Sequence, residues 1–450
     1  MKKLLFVFFA LMFINYSNGQ IIKQRVDSLL SQFIKVARIP GLSVAVSMGN
    51  KIIYSNAFGV EDINTGRSAT IKTKYRIGSI SKLLTATLFV KLLDKNIISE
   101  NSKANEYVHS LPPAYKDITL YQLAAHTSGI RHYTRSEILS KNTIEYKKLE
   151  DGLSRFTNDT LLFSPGEKYY YSSYGYMLLG AVMENATGQS FNSLLKKEIL
   201  EPADMTATIP ETAKAIAHEI AFYYPMKPDS LVAVSPDNNS YKWPAGGYLS
   251  TPADMVRFGS RLLDKKIVDA RSLDILFTPK KTNNGKETGV GFGFRIGTDS
   301  RGRKIVHHGG ESDGARAFFL MYPDEKICIA LCANVYGAPL FEGEAETIAG
   351  YFLGDYEFKQ NLFPDGAYNF TTTVNKKELK GKIEIKGNKG MIYNFNNNNL
   401  QIVNIVKDKD KTRIIALSAN GIMNFWITKD DSGYKGFWGY DKPLTAITLE

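Results

Sequence analysis

Strand-like and helix-like segments follow one another along this chain in an order that restricts its fold more than any other feature of the sequence. Near the N-terminus, two strand-like runs flank Gly49-Asn50, which is a hairpin signal. Helical patterns with long loops occupy the chain from residue 75 to about 270. Strand patterns then return in four segments, 290–296, 304–308, 315–322 and 326–333. Strands at both ends of a helical middle predict one antiparallel sheet built from both ends of this region.

The pattern of the sequence changes from about residue 360 onward. Short strand-like runs recur there at regular intervals, which predicts a small antiparallel barrel or sandwich without evident chemistry of its own. The predicted fold class is α/β, in the sense of an α+β sandwich: an antiparallel sheet flanked by helices plus a largely helical region, with a small all-β C-terminal domain. The predicted domains are a signal peptide at 1–19, a main domain at 20–357 and a small antiparallel β domain at 358–450.

The N-terminus has the pattern of a secretory signal peptide. Two lysines precede the apolar run Leu4–Ile14, and the polar segment Asn15–Gly19 follows it. A single membrane anchor is the competing interpretation, but the apolar run is shorter than the roughly 20 residues that cross a bilayer. We therefore expect secretion across the inner membrane to a periplasmic or extracellular location, and no transmembrane span in the mature chain.

Charge and cysteine content exclude several classes of function. The formal net charge is +11 with a pI near 9.2, which suits a surface beside an anionic envelope polymer. A nucleic-acid partner is not predicted, because no recognisable binding module is present. Cys328 and Cys332 lie four positions apart on a predicted buried strand, about 13 Å at roughly 3.3 Å per residue, so they are expected to be free thiols. No cofactor or metal cluster is predicted.

The tetrad Ser79-Ile80-Ser81-Lys82 is the first candidate for chemistry. It stands at the start of an amphipathic helical pattern, where residues three apart share one face, so the Lys82 amine can reach the Ser79 hydroxyl. A serine needs a neighbouring base to act as a nucleophile, and burial can lower the pKa of a lysine enough for it to serve. The alternative is that this short pattern is only a polar start of a helix.

Three further segments carry polar groups in suggestive positions. A phenol and a hydroxyl lie two apart at Tyr171 and Ser173, after a Pro-Gly turn signal. The sequence His307-His308-Gly309-Gly310 ends a strand in a glycine-rich bend, where a backbone N–H can approach a ligand. A helix stops at His126-Thr127-Ser128-Gly129. Each segment also has a purely structural interpretation as packed tyrosines, a strand end or a helix end.

Together and in this order, the segments resemble the serine β-lactamase and penicillin-binding-protein superfamily. The similarity covers roughly residues 25 to 355 and is greatest to the class C-like group, near the mitochondrial serine β-lactamase-like branch. The resemblance implies that Ser79 is the acylated nucleophile, Lys82 its base and Tyr171 the tyrosine of a Tyr-x-Asn motif. It further implies that His307-His308-Gly309 replaces a Lys-Thr-Gly strand motif and that Gly310 gives the second oxyanion N–H.

Two departures from the pattern of the family bear on the substrate. Ser173 stands where many members have asparagine, and a hydroxyl cannot supply the two donors of an amide. His307 stands where many members have lysine, which weakens binding of a substrate carboxylate at neutral pH. Both changes favour an esterase or peptidase over a dedicated β-lactamase.

The expected function is that of a secreted serine hydrolase. It would cleave an ester or amide, with a D-Ala-type peptide, a β-lactam or an ester as the open alternatives, through an acyl-enzyme on Ser79. The expected partner is a small-molecule or peptide substrate, of which a cell-wall fragment is one option. The alternative of a different class is a non-catalytic envelope protein that binds such peptides in a degenerate pocket.

Overall fold

Helices and strands follow the predicted order in a computed structural model that describes residues 2–134, 136–137, 142, 144–212, 222–227, 230–234, 238–359, 362–374, 376–431, 433–440 and 445–449. Among these residues the α-helices are α1 (Lys2–Val36), α2 (Ser81–Asp94), α3 (Leu120–Ala124), α4 (Ser173–Thr187), α5 (Phe191–Leu195), α6 (Trp243–Gly246), α7 (Pro252–Leu263), α8 (Ala270–Phe277) and α9 (Glu342–Phe352). The strands up to residue 340 are β1 (Gly41–Met48), β2 (Lys51–Asp62), β3 (Arg67–Ser68), β4 (Tyr75–Arg76), β5 (Ile209–Pro210), β6 (Tyr223–Lys227), β7 (Ser230–Ala233), β8 (Tyr248–Ser250), β9 (Arg295–Thr298), β10 (Lys304–Ser312), β11 (Ala315–Tyr322) and β12 (Ile327–Ala333). The later strands are β13 (Gly366–Val374), β14 (Lys377–Lys386), β15 (Lys389–Phe395), β16 (Asn398–Asp408), β17 (Lys411–Ser418), β18 (Gly421–Asp430), β19 (Gly433–Gly439) and β20 (Thr445–Leu449).

One sheet joins the two ends of the unit Pro40–Leu340. Its described strands have the order β3-β2-β1-β12-β11-β10-β9, and all neighbours are antiparallel. β1 and β2 meet at Gly49-Asn50, which confirms the predicted hairpin. The sheet built from both ends is therefore confirmed, and it places β10 one strand from an edge.

Every residue of β12 is buried, which explains its continuous apolar sequence. Cys328, Ala330 and Cys332 alternate along it and contribute to the core that the sheet shares with the helices. Helix α7 approaches that face closely, since a Cβ on Gly259 would lie 2.7 Å from the Cys328 sulfur. Both cysteines are free and buried, as predicted.

The helical region of this unit surrounds α2. Helices α4, α6 and α8 all contact it, and the whole first two turns of α2 are buried. Two phenylalanines show the packing on one side, because the Phe89 ring meets the Phe292 ring edge-on with centroids 5.3 Å apart. A helix that is enclosed in this way can hold a polar side chain away from water, which matters for Lys82.

The second compact unit combines residues up to Ile39 with Phe341–Glu450. Its described strands β13 to β20 close into an antiparallel barrel, which confirms the predicted small all-β domain. Aliphatic and aromatic side chains fill the interior, where Phe395 meets the rings of Phe425 and Trp438 edge-on. Helices α1 and α9 pack on the barrel and on each other.

The predicted domain boundaries stay a prediction. The compact units assign α9 and the helix at the N-terminus to the barrel, whereas the sequence places the boundary at 357. Helix α1 runs without interruption through the predicted cleavage site after Gly19, so the signal peptide also remains a prediction. None of the helices in the described part of the chain is long and apolar enough to cross a membrane.

Candidate active site

The nucleophile candidate lies at a turn that leads directly into α2. Strand β4 ends at Arg76, a 3₁₀ turn spans Gly78–Ile80, and α2 begins at Ser81. Ser79 is partly exposed, whereas Lys82 is fully buried. The Lys82 Nζ and the Ser79 Oγ are 3.1 Å apart, so the spacing of three residues brings amine and hydroxyl into contact.

Lys82 is held by oxygen atoms rather than by a counter-ion. Its Nζ donates to the Ala245 carbonyl at 2.5 Å and lies 2.9 Å from the Ser173 Oγ. In the part of the chain that the structure describes, no carboxylate forms a salt bridge with it. Burial holds the pKa of Lys82 well below its usual value, and the positive charge of Lys242 lowers that pKa further.

The three contacts of the amine can be made by the neutral form of lysine, which the lowered pKa favours. A neutral amine has two N–H groups and one lone pair. The Ala245 carbonyl can only accept, so one N–H points there, and the second can donate to the Ser173 Oγ. The lone pair is then free to accept the Ser79 hydroxyl proton across 3.1 Å. This geometry would let Lys82 accept a proton from the hydroxyl that it contacts.

Tyr171 lies beside the same amine. Its ring centroid is 4.9 Å from the Lys82 Nζ. Burial raises the pKa of Tyr171, and the nearby Ser79 hydroxyl opposes that shift. The phenol oxygen is buried near the hydroxyls of Ser79 and Ser173 and makes no hydrogen bond of regular geometry with the described residues. A protonated phenol with a free donor, next to the nucleophile, can give a proton to a leaving group.

Ser173 reaches Lys82 because it is the first residue of α4. Ser172 caps that helix, since its Oγ accepts a hydrogen bond from the Gly175 N–H at 3.0 Å. The cap fixes where the helix begins and thus where the Ser173 side chain points. The structure therefore brings together four residues that the sequence singled out: Ser79, Lys82, Tyr171 and Ser173.

Two histidines join this group, and neither had been assigned a role from the sequence. The Ser172 N–H donates to His126 Nδ1 at 3.1 Å, and the Ser173 N–H donates to His132 Nδ1 at 3.2 Å. Burial lowers the pKa of His126 well below its usual value and that of His132 to about 4, with the charge of Lys82 adding to both shifts. A cluster of two histidines just after α3 is the signal in the sequence that could have found them.

On β10, the histidine that faces the candidate site is one position later in the sequence than predicted. Side chains alternate along β10, and Val306 belongs to the core on the side of the helices, so His308 and Gly310 share its face. His307 lies on the other face, where its ring stacks on Phe318 with centroids 5.6 Å apart. The structure thus brings His308, rather than the predicted His307, toward Tyr171, with ring centroids 6.0 Å apart.

His308 is neutral in this environment. Burial holds its pKa well below the usual value, and the charge of Lys82 adds to the effect. Its Nδ1 lies 2.5 Å from the Gly309 carbonyl, to which only an N–H can donate. The pKa of His307 is also lowered, to about 4, by burial and then by the charge of Arg295. Neither histidine supplies the positive charge that a lysine at this motif would carry.

Glycines allow β10 to touch the turn that carries the nucleophile. A Cβ on Gly310 would lie 1.9 Å from the Ile77 carbonyl oxygen. Gly78 has a positive φ of 49°, and a Cβ there would lie 2.7 Å from the backbone nitrogen of Glu311. The structure therefore adds the N–H of Glu311 to that of Gly310 as a candidate donor to an oxyanion beside Ser79.

A buried ion pair anchors the approach to the turn. The Arg76 guanidinium donates to Glu211 Oε1 at 2.9 Å and to the Asp313 carbonyl at 2.6 Å. The side chains of Arg76 and Glu211 are 1% and 0% exposed. Asp313 follows β10, so this pair links the turn and the strand on either side of the candidate site.

Comparison with known proteins gives one family and several relatives. The matching family model, described as Beta-lactamase, spans residues 26–350. Protein flp from Staphylococcus aureus (strain NCTC 8325 / PS 47) is 25% identical over 324 residues, which are 70% of this chain and 63% of that protein. The human mitochondrial serine beta-lactamase-like protein LACTB is 27% identical over 292 residues, which are 50% of this chain and 53% of that protein. The chain thus spans less than two thirds of the length of these curated relatives.

A solved structure resembles nearly the whole chain. The octameric penicillin-binding protein homologue from Pyrococcus abyssi has a TM-score of 0.64 and 21% sequence identity. The match covers 94% of this chain and 99% of that one. At this level of identity the comparison concerns the fold alone.

Proposed function

Because this chain belongs to the beta-lactamase family, as its motifs predicted, we propose that it is a serine hydrolase that works through an acyl-enzyme on Ser79. Membership in this superfamily of serine hydrolases is established by the family match and the relatives. The observation that carries the finer proposal is the buried Lys82 amine, 3.1 Å from the Ser79 hydroxyl and without a carboxylate partner among the described residues.

In the proposed reaction, the Ser79 Oγ attacks the carbonyl carbon of an ester or amide. Lys82 takes the Ser79 proton as the new C–O bond forms, and the negative charge moves to the carbonyl oxygen. Backbone N–H groups beside the turn, those of Ser79 and of Gly310 or Glu311, stabilise that oxyanion. The bond to the leaving group then breaks, and Tyr171 donates the proton that the leaving group needs, with Lys82 restoring the proton of the phenol. Water repeats the sequence on the acyl-enzyme and releases the acid.

The substrate that we favour is an ester or a peptide-like amide rather than a β-lactam. The hydroxyl of Ser173 is occupied by Lys82 at 2.9 Å and offers less to a substrate than an amide would. The pKa values of both histidines of the strand motif are lowered, so neither supplies the cation that a lysine at this motif would offer to a substrate carboxylate. A peptide from the cell wall remains one option within this class.

We also propose that the protein is secreted, to the periplasm or beyond, because of the pattern of its first 19 residues. The mass of the mature protein from its native host tests this proposal. A mass that includes the first 19 residues would contradict it.

The decisive experiment compares the hydrolysis of a short-chain p-nitrophenyl ester by the protein, by Ser79→Ala and by Ser81→Ala. Ser81 is the matched control, because it is a buried hydroxyl on the same turn with no side-chain hydrogen bond in the described structure. We expect loss of turnover in Ser79→Ala alone, together with a stable acyl adduct of Ser79 detected by mass spectrometry with a slow substrate. Equal activity in Ser79→Ala would refute the proposal. An inactive wild-type protein that binds peptides without an adduct would favour a non-catalytic binding protein instead.

A further inference from the structure

The two histidines that contact Tyr171 have no assigned role in the proposed chemistry. The Tyr171 ring lies between them, with centroids 4.6 Å from His126 and 5.3 Å from His132. The His126 ring is tilted against it, and the His132 ring meets it edge-on. The phenol oxygen makes no hydrogen bond of regular geometry among the described residues, although the Ser79 and Ser173 hydroxyls lie near it, so the ring contacts and the backbone help to hold Tyr171 in place.

The same two histidines also hold the backbone next to Tyr171. His126 Nδ1 accepts from Ser172 N–H, and His132 Nδ1 accepts from Ser173 N–H. These are the N–H groups at the start of α4, where a helix leaves its first donors without partners of its own. The two histidines thus bind the backbone of Ser172 and Ser173, and they also contact the ring of Tyr171, the residue before them.

Each imidazole can do this only in its neutral form, because imidazolium has two donors and no acceptor. The Nδ1 atoms accept, so the remaining proton of each ring is on Nε2. Burial lowers the pKa of both rings, which favours their neutral forms. The two imidazoles can therefore act as acceptors, while burial keeps the phenol between them protonated.

We propose that His126 and His132 are positioning residues that hold the Tyr171 phenol where it can protonate the leaving group. This inference rests on the proposed function, since it assigns to Tyr171 the transfer of that proton. It predicts that substitution of either histidine slows hydrolysis through its effect on Tyr171. The loss should be largest when the leaving group needs a proton.

His132 is the better residue to change, because it is partly exposed, whereas His126 is buried and has a positive φ of 57°. His132→Phe keeps a flat ring and removes the acceptor, whereas His132→Asn keeps an acceptor near the position of Nδ1 and removes the ring. His109→Phe is the matched control at an exposed histidine, whose Nδ1 lies 3.0 Å from the Asn105 carbonyl. Melting temperatures of all variants establish that they fold.

The experiment measures kcat/KM for esters of one acyl group with p-nitrophenol, phenol and ethanol as leaving groups. We expect His132→Phe to lose about tenfold to a hundredfold with the ethyl ester, as a displaced catalytic group does, and less than about threefold with the p-nitrophenyl ester. His132→Asn should retain part of the activity toward the ethyl ester, and His109→Phe should match the unaltered protein.

A double-mutant cycle with Tyr171→Phe decides whether the effect passes through the phenol. Once Tyr171 has lost its hydroxyl, we expect His132→Phe to cause little further loss with any leaving group. An equal loss in both backgrounds, or a loss that is the same for all three esters, would overturn the proposal. If His132→Phe does not fold, the same cycle with His132→Asn gives the answer. Hydrolysis that persists in Ser79→Ala would instead refute the proposed function itself.

Discussion

The burial of Lys82 leads to a prediction that distinguishes the effect of its ionisation from the effect of its hydrogen bonds. Replacement of Lys82 by methionine keeps much of the length of the side chain but removes both the base and the titrating group. The Ser79 hydroxyl then loses the acceptor that the Lys82 Nζ provides at 3.1 Å. We expect kcat/KM to fall by about 10²–10⁴, the usual contribution of a general base, which corresponds to about 3–5 kcal/mol of activation free energy.

The same variant should change the pH dependence of stability. The pKa of Lys82 is well below its usual value in the folded protein, whereas it is about 10.4 in an unfolded chain. Between these two values the unfolded state binds more protons, so the free energy of unfolding of the natural protein falls as the pH is lowered. Methionine has no proton to bind. The melting temperature of Lys82→Met relative to the unaltered protein should therefore be higher at pH 7 than at pH 10.

The assay needs only thermal melting and ester hydrolysis at two pH values. The comparison between pH values cancels the constant cost of the hydrogen bonds to Ser173 and Ala245 that methionine loses. Lys91→Met is the matched control, because Lys91 lies on the same helix and forms an ion pair with Glu198. It should leave the hydrolysis unchanged. A relative melting temperature of Lys82→Met that is lower at pH 7 than at pH 10 would refute the reasoning that burial keeps Lys82 neutral.

Three further outcomes follow from the described contacts. Gly310→Ala should reduce ester hydrolysis by about a hundredfold, because its Cβ would lie 1.9 Å from a backbone oxygen of the nucleophile turn. Gly309→Ala, whose Cβ would have its nearest contact at 3.6 Å, should hardly change the hydrolysis. A larger loss in Gly309→Ala than in Gly310→Ala would contradict the register of β10. Glu211→Ala should lower the free energy of unfolding in urea by about 3–5 kcal/mol, since it leaves the buried Arg76 charge unpaired; a change below about 1 kcal/mol would contradict this. Both cysteines should react with a thiol reagent only in denaturant, because burial raises the pKa of each thiol; rapid labelling of the native protein would be unexpected.

Local patterns were sufficient for much of the fold. The hairpin at Gly49-Asn50 and the strands β11 and β12 lie where the sequence predicted them, because turn residues and apolar runs act over only a few positions. The recurring strands of the C-terminal part were also predicted, whereas the closure of the barrel by β13 and β20 joins residues that are far apart in the chain. The domain boundary depends on such distant contacts, and it stays a prediction.

The candidate site divides in the same way. Ser79 and Lys82 could be paired from the sequence because three residues along a helical turn always share a face. The motif on β10 could not be placed, because a shift of one residue along a strand moves a side chain to the opposite face of the sheet. Only the packing of Val306 into the helical core shows that His308 faces the site and that His307 does not.

The chemistry of Lys82 is the clearest case of what tertiary structure decides. The sequence by itself determined that an amine stands one turn from a hydroxyl, since that depends on local helix geometry alone. It could not determine that the pKa of this amine is lowered, because the shift results from burial by the surrounding helices and from the charge of Lys242, which is distant in the chain. The histidines around Tyr171 are of the same kind, since His132 lies 41 residues from the N–H that it accepts. Contacts over such distances exist only after the chain has folded. The sequence therefore identified the residues, whereas the packing around them determines their ionisation and orientation.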